Sequence, residues 1–170
     1  DAAQSVGSKF NGKCSGTFGK FGCFSLHPMK SLNCAGDGGY IITDDVDSYQ
    51  RLLGLRNHGQ SPDKSDIVEF GYSSRLDNLQ AVIANIRLGD LEKGNNIRRE
   101  IAKRYHDGLQ GLPLILPMAQ GFKTSCCTTS SFCDCITYCK KRYDVYNSYV
   151  VRSKDRDSLY QFLRDNGVKF

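Results

Sequence analysis

The stretch Phe21-Gly22-Cys23-Phe24-Ser25-Leu26-His27-Pro28-Met29-Lys30-Ser31-Leu32 decides how this chain is read. Its first half, Phe21 to Leu26, is a short apolar run with Gly19 and Gly22 close by, which predicts a buried strand. Pro28 has no N–H to give a ladder, so pairing should stop before it. Lys30 then falls just past the strand end. Gly36, Gly38 and Gly39 follow, and Tyr40-Ile41-Ile42-Thr43 starts a second strand. A lysine in a bend between two apolar strands is placed to lose water. Burial of an amine disfavours its ammonium form and leaves a nucleophile for carbonyl carbons. The plainer alternative is a solvated loop lysine, which spacing alone favours.

Working outward, Lys9 to Lys20 is rich in Gly, Ser and Lys and reads as a hairpin or loop. Asp44, Asp45 and Asp47 are cap candidates for a helix carrying Tyr49, Leu52, Leu53 and Arg56, which Asn57-His58-Gly59 should end. Gln60 to Glu69, polar and containing Pro62, reads as a loop. Leu76 to Leu91 carries Leu79, Val82, Ile83, Ile86 and Leu91 at helical spacing, with Gly94 a candidate stop. Ile97, Ile101, Tyr105 and Leu109 continue the stripe, with Arg98, Arg99, Lys103 and Arg104 expected mainly outside. Asn147 to Arg152 alternates as a strand with Tyr149 and Val151 on one side. Ser153 or Asp155 should cap a helix from Arg156 to Asn166 that Gly167 terminates.

Composition narrows the class. A chain of 170 residues, 39% hydrophobic and 24% charged, suits one globular domain or one and a half. It has no apolar run of about 18 residues, so no membrane span is expected, and it shows no signal-peptide pattern. The excess of 23 Lys+Arg over 18 Asp+Glu is modest. The basic run on the long helix lacks interleaved aromatics, which argues against nucleic acid as a partner. Cys14, Cys23 and Cys34 read as reduced, buried thiols. Cys126, Cys127, Cys133, Cys135 and Cys139 crowd one segment. Only Cys135 and Cys139 have zinc-like spacing, so an irregular loop is the preferred reading and no metal site is assigned.

Several motifs come in a telling order: Asp1-Ala2-Ala3-Gln4, Gly16-Thr17-Phe18-Gly19, Phe24-Ser25-Leu26-His27-Pro28-Met29-Lys30, Gly36-Asp37-Gly38-Gly39, Leu55-Arg56-Asn57-His58-Gly59 and Gly71-Tyr72-Ser73-Ser74-Arg75-Leu76-Asp77. In this order the chain closely resembles the DegT/DnrJ/EryC1/StrS family of pyridoxal-phosphate (PLP) sugar aminotransferases, well over residues 1–112 and loosely over 148–170. The resemblance implies an α/β chain of fold type I, aspartate-aminotransferase-like. Residues 1–110 would form the C-terminal part of the PLP-binding large domain. Residues 111–170 would start the small α+β domain, with an irregular Cys-rich insert at 121–146.

Roles follow by resemblance. Lys30 is the lysine that bonds to PLP and moves the proton, and Asp1 is the acid beside the pyridine nitrogen. Gln4 stands near the ring's phenolic oxygen, and Ser25 binds the phosphate. Ser73, where the commonest family form has Asn, and Arg75 belong to a turn that reaches a partner subunit's cofactor. His27 reads as a packed turn residue. The family's Asp lies at the end of a core strand, so the first half of the fold is expected upstream of Asp1 or is missing. The implied function is transfer of an amino group, from glutamate by resemblance, to a nucleotide-linked keto-sugar by a cytoplasmic homodimer with shared active sites. The rival is a catalytically incomplete homologue acting as a dimerisation module.

Overall fold

A computed structural model of the chain describes residues 1–117 and 142–169. Its first hairpin pairs β1 (Lys9–Phe10) with β2 (Lys13–Cys14), and Asn11 and Gly12 take the positive φ angles, 49° and 78°, of a tight hairpin turn. Strand β3 (Gly22–Ser25) pairs antiparallel with β4 (Gly39–Ile42), from Gly22 opposite Ile42 to Ser25 opposite Gly39. The strand stops before Pro28, as the missing N–H dictates. Phe24 and Tyr40 face each other across this pair and stack at 4.6 Å between ring centroids.

Helix α1 (Val46–Leu55) starts on Asp45, whose carboxylate accepts the Ser48 amide at 2.7 Å. Helix α2 (Asn78–Gly89) and helix α3 (Leu91–Leu109) meet at Asp90. Gly94 lies inside α3 and does not end a helix, a correction to the sequence reading: one glycine costs only about 1 kcal/mol, which the remaining turns outweigh. Strand β5 (Leu114–Ile115) pairs with β7 (Arg152–Ser153), and β6 (Arg142–Tyr143) pairs with the free edge of β1. Helix α4 (Arg156–Asp165) is capped by Asp155 and followed by Gly167 at φ 73°.

The core cluster is Val6, Leu26, Leu32, Cys34 and Ala84, with Phe24, Tyr40, Leu76 and Leu91 packed against it. Leu26, Leu32 and Cys34 of this cluster belong to the loop that carries Lys30 and to its base.

Further expectations need correction. On α2 the inward face is Gln80, Ala81, Ile83 and Ala84, and Leu79, Val82 and Ile86 stand exposed. On α3 the buried residues are Asn95, Arg99 and Ala102, one turn apart, whereas Ile97, Ile101 and Tyr105 are exposed. Arg99 is therefore inside, not outside: its Nη1 donates to the Asp144 carbonyl at 2.6 Å and its guanidinium lies 4.1 Å from the Tyr143 ring centre. Only Arg152 of the expected strand from Asn147 is paired, although Tyr149 and Val151 do turn inward. Of three thiols expected to be buried, Cys34 is buried and Cys14 and Cys23 are exposed; all three are free. His27 is exposed, with Nδ1 accepting the Met29 amide at 3.2 Å. The five clustered cysteines lie outside the described residues. Among the described residues no group of His, Cys, Asp and Glu could hold a metal, and no helix is long and apolar enough to cross a membrane.

Candidate active site

Lys30 sits on a loop closed at its base. The Leu26 amide donates to the Gly38 carbonyl at 2.8 Å, and the Cys34 amide donates to the Leu26 carbonyl at 2.8 Å. Within the loop the Lys30 amide donates to the His27 carbonyl at 2.9 Å. Asn33 Nδ2 donates to the Lys30 carbonyl at 2.7 Å. The Lys30 side chain is partly buried. Gly38 has a physical reason: a Cβ there would lie 2.9 Å from Leu76 Cδ1 and 3.1 Å from Cys34 Sγ. The loop base, Cys34 and the residue following Arg75 are thus packed together.

Two other predicted residues share this strand end. Ser25 is the last residue of β3, and its Oγ accepts the His27 amide at 3.2 Å. Its own O–H is left to donate outward. Asp1 is carried to β3 by its neighbour, because the Ala2 amide donates to the Cys23 carbonyl at 2.8 Å. The Asp1 carboxylate is exposed and accepts the Ala3 amide at 2.9 Å. Beside Lys30, the Ser31 hydroxyl oxygen is buried without a hydrogen-bond partner.

Gln4, Ser73 and Arg75 lie on other segments of the chain. Gln4 is exposed and lines a cavity of about 280 Å³ with Ser5, Ser8, Asp144, Tyr146 and Asn147. Ser73 and Arg75 are exposed on a segment tied to the end of α1. There the Tyr72 amide donates to the Leu55 carbonyl at 2.7 Å and the Ser74 amide to the Arg56 carbonyl at 3.0 Å. Arg75 makes no ion pair among the described residues. The fork from Arg51 to Glu69, with Nη2 to Oε2 at 2.8 Å, ties the preceding loop to α1 and holds the Glu69 carboxyl below the usual range. Next to it Ile67, Val68, Phe70 and Tyr72 are exposed, Phe70 completely.

Sequence reasoning missed Asn33 on the lysine loop and Gln80 and Arg87, which grip that loop from α2. Gln80 Oε1 accepts the Ala35 amide at 2.8 Å, and Arg87 Nη1 donates to the side-chain and main-chain oxygens of Asn33 and to the Cys34 carbonyl. Their seven-residue spacing on one helix face was a usable signal, but their targets lie 45 to 54 residues away.

The comparisons with known proteins now bear on this arrangement. The sequence pattern of the DegT/DnrJ/EryC1/StrS aminotransferase family matches residues 1–170, and the chain belongs to that family. It is 45% identical over 119 residues to UDP-N-acetyl-3-dehydro-alpha-D-glucosamine 3-aminotransferase of Acidithiobacillus ferrooxidans, covering 70% of this chain and 32% of that protein. It is 34% identical over 168 residues to dTDP-3-amino-3,4,6-trideoxy-alpha-D-glucose transaminase of Streptomyces venezuelae, covering 99% of this chain and 39% of that protein. Among solved structures, a family aminotransferase from Brucella abortus superposes with a TM-score of 0.80 at 30% identity, over 98% of this chain and 39% of the other. S. venezuelae DesV, solved in complex with a ketimine intermediate, gives 0.79 at 34% identity, over 99% of this chain and 40% of the other. The chain thus carries part of the α/β fold of the family's PLP enzymes, and spans about a third to two fifths of the relatives it matches.

The residues fit PLP, the family's cofactor. A hydroxyl and a partly buried lysine sit at the end of β3 and on the loop it feeds, an acid adjoins Ala2, which is bonded to the same strand, and an orphaned hydroxyl follows the lysine.

Proposed function

We propose that this chain supplies the lysine-bearing part of a PLP-dependent aminotransferase that moves an amino group, from glutamate as donor, to a nucleotide-linked keto-sugar. The observation that carries the reading is the closed loop that holds Lys30 beyond the Ser25 end of β3, with Asp1 joined to the same strand through Ala2 and Cys23. Family membership and the sugar-nucleotide aminotransferases among the relatives support it.

When bound, PLP supplies an electron sink for the bond-breaking at the substrate carbon. Lys30 Nζ would hold the cofactor and, once released, would move a proton at the substrate carbon. The Asp1 carboxylate holds the proton on the ring nitrogen. Ser25 Oγ donates to a phosphate oxygen, a role left open by its existing bond, in which it only accepts. Gln4 offers its amide to the ring oxygen. Ser73 and Arg75, exposed on the segment after α1, would meet the cofactor of a second subunit. By resemblance this segment implies a homodimer with shared sites. The division at about residue 110, where α3 ends, separates the cofactor-binding part from the start of the smaller domain. A cytoplasmic location accords with three free cysteines in the described part.

Adding PLP to the full-length protein and recording its absorbance tests the reading. We expect a visible band that Lys30→Ala abolishes, and borohydride reduction that fixes the cofactor on the peptide containing Lys30. A wild-type protein that gives no such band, or label on another lysine, overturns it.

A further inference from the structure

We propose that Arg87, acting through Asn33, is a positioning residue that sets the height and orientation of Lys30; the inference rests on the aminotransferase reading above. Lys30 lies at the far side of a loop whose base is welded by Leu26, Cys34 and Gly38. A closed base does not by itself fix the crest. At the crest the Lys30 amide is bonded to the His27 carbonyl and the Met29 amide to His27 Nδ1, and the Lys30 carbonyl accepts from Asn33 Nδ2 at 2.7 Å. The other end of the Asn33 side-chain amide, Oδ1, accepts from Arg87 Nη1.

The donor inventory allows only this orientation. A guanidinium only donates and a carbonyl only accepts, so the Asn33 amide is turned one way by its two partners. The same Arg87 nitrogen reaches the Cys34 carbonyl at 3.3 Å, joining the crest to the base of the loop. Arg87 stands in the last turn of α2, where a cation also suits the helix end. The helix is anchored in turn by Ala84, which is buried against Leu26, Leu32 and Cys34. Gln80, two turns earlier on the same face, accepts the Ala35 amide at 2.8 Å. A rigid helix therefore grips residues 33 to 35 at two points, and the lysine inherits its place from that grip.

Asn33→Asp separates positioning from bulk stability. A carboxylate keeps, and strengthens, the pairing with Arg87 but has no N–H for the Lys30 carbonyl. Arg87→Ala cuts the other link. The full-length, PLP-loaded protein serves for kinetics and for pH titration of the cofactor's absorbance, and the cofactor-free protein for amide hydrogen exchange over residues 28–34. We expect each variant to lower kcat about tenfold with the donor KM little changed, as a slight misplacement of a reacting group does. The midpoint of the absorbance titration should move, and exchange at Lys30 and Ser31 should quicken. Because both variants break one chain of contacts, the double variant should be no slower than either single one. Arg87→Lys should restore part of the loss.

Wild-type titration and exchange in Asn33→Asp, or single-variant losses that multiply in the double variant, overturn the proposal. Should Arg87→Ala fail to fold, Asn33→Asp decides alone. An absent Lys30-dependent band in the wild type sinks the aminotransferase reading, whereas a normal band with unaltered variants sinks only the role of Arg87.

Discussion

The amide and the thiol of Cys34 both reach the carbonyl oxygen of Leu26, at 2.8 and 3.2 Å. The thiol is also 3.1 Å from the Gly36 carbonyl, and the residue has no exposed surface. A residue that closes a loop and fills the core beneath it does two tasks at once. Alkylation of the native protein, mapped by mass, should label Cys14 and spare Cys34 until the chain unfolds. Cys34→Ala should cost about 1–2 kcal/mol in denaturant titration, the sum of a small cavity and a modest hydrogen bond.

Two glycines should respond with opposite signs. Gly38→Ala places a methyl 2.9 Å from Leu76 Cδ1 and 3.1 Å from Cys34 Sγ, so the base of the lysine loop must open. Overpacking of this kind costs roughly 1–3 kcal/mol. Gly108, inside α3, has nothing within 4 Å of the place a methyl would take, and Gly108→Ala should stabilise by up to about 1 kcal/mol through helix propensity. Chemical denaturation of the pair checks both signs.

Arg99→Ala should be severe. Arg99 is 4% exposed and carries a 2.6 Å bond to the Asp144 carbonyl and the stack on Tyr143. Its loss strands a partly buried carbonyl and removes the stack, and should cost about 2–4 kcal/mol. Arg99→Lys should recover little, because an ammonium cannot both stack flat and reach sideways. Thermal melts of the two variants decide the point.

Burial, with the nearby Asp144 carboxylate next in weight, pushes the Tyr146 phenol up from 10.0 to about 12. The folded state therefore holds this proton more tightly than the unfolded chain does. Its contribution to stability is fully present below pH 10 and is lost as pH rises from there to about 12. Absorbance titration of tyrosinate should show a late step that Tyr146→Phe removes, and the alkaline fall in stability should be shallower in that variant.

Local chemistry was legible in the sequence where its causes were local. Pro28 ended β3, Asp45 and Asp155 capped their helices, and the Gly-rich stretch from Lys9 to Lys20 holds the first hairpin. The order of motifs around Lys30 carried the family and the fold. What stayed hidden depended on distant chain. The apolar stripe at Leu79, Val82 and Ile86 gave the right period for α2 but not the face that packs, which follows from where Leu26 and Cys34 lie. Arg99 read as a surface charge because its partner Asp144 lies 45 residues on. Asn33 and Arg87 carried no motif, since an arginine's targets are chosen by the packing of α2 and not by its neighbours in sequence.

The hairpin between Asp1 and Lys30 has a practical corollary. At its tip a Cβ on Gly12 would meet nothing within 4 Å among the described residues, and Asn11 is exposed. The Ala2–Cys23 join and the Leu26–Cys34 closure both lie elsewhere. The tip is thus a permissive insertion point, where a fluorophore or affinity tag would report on the protein without disturbing the acid or the amine.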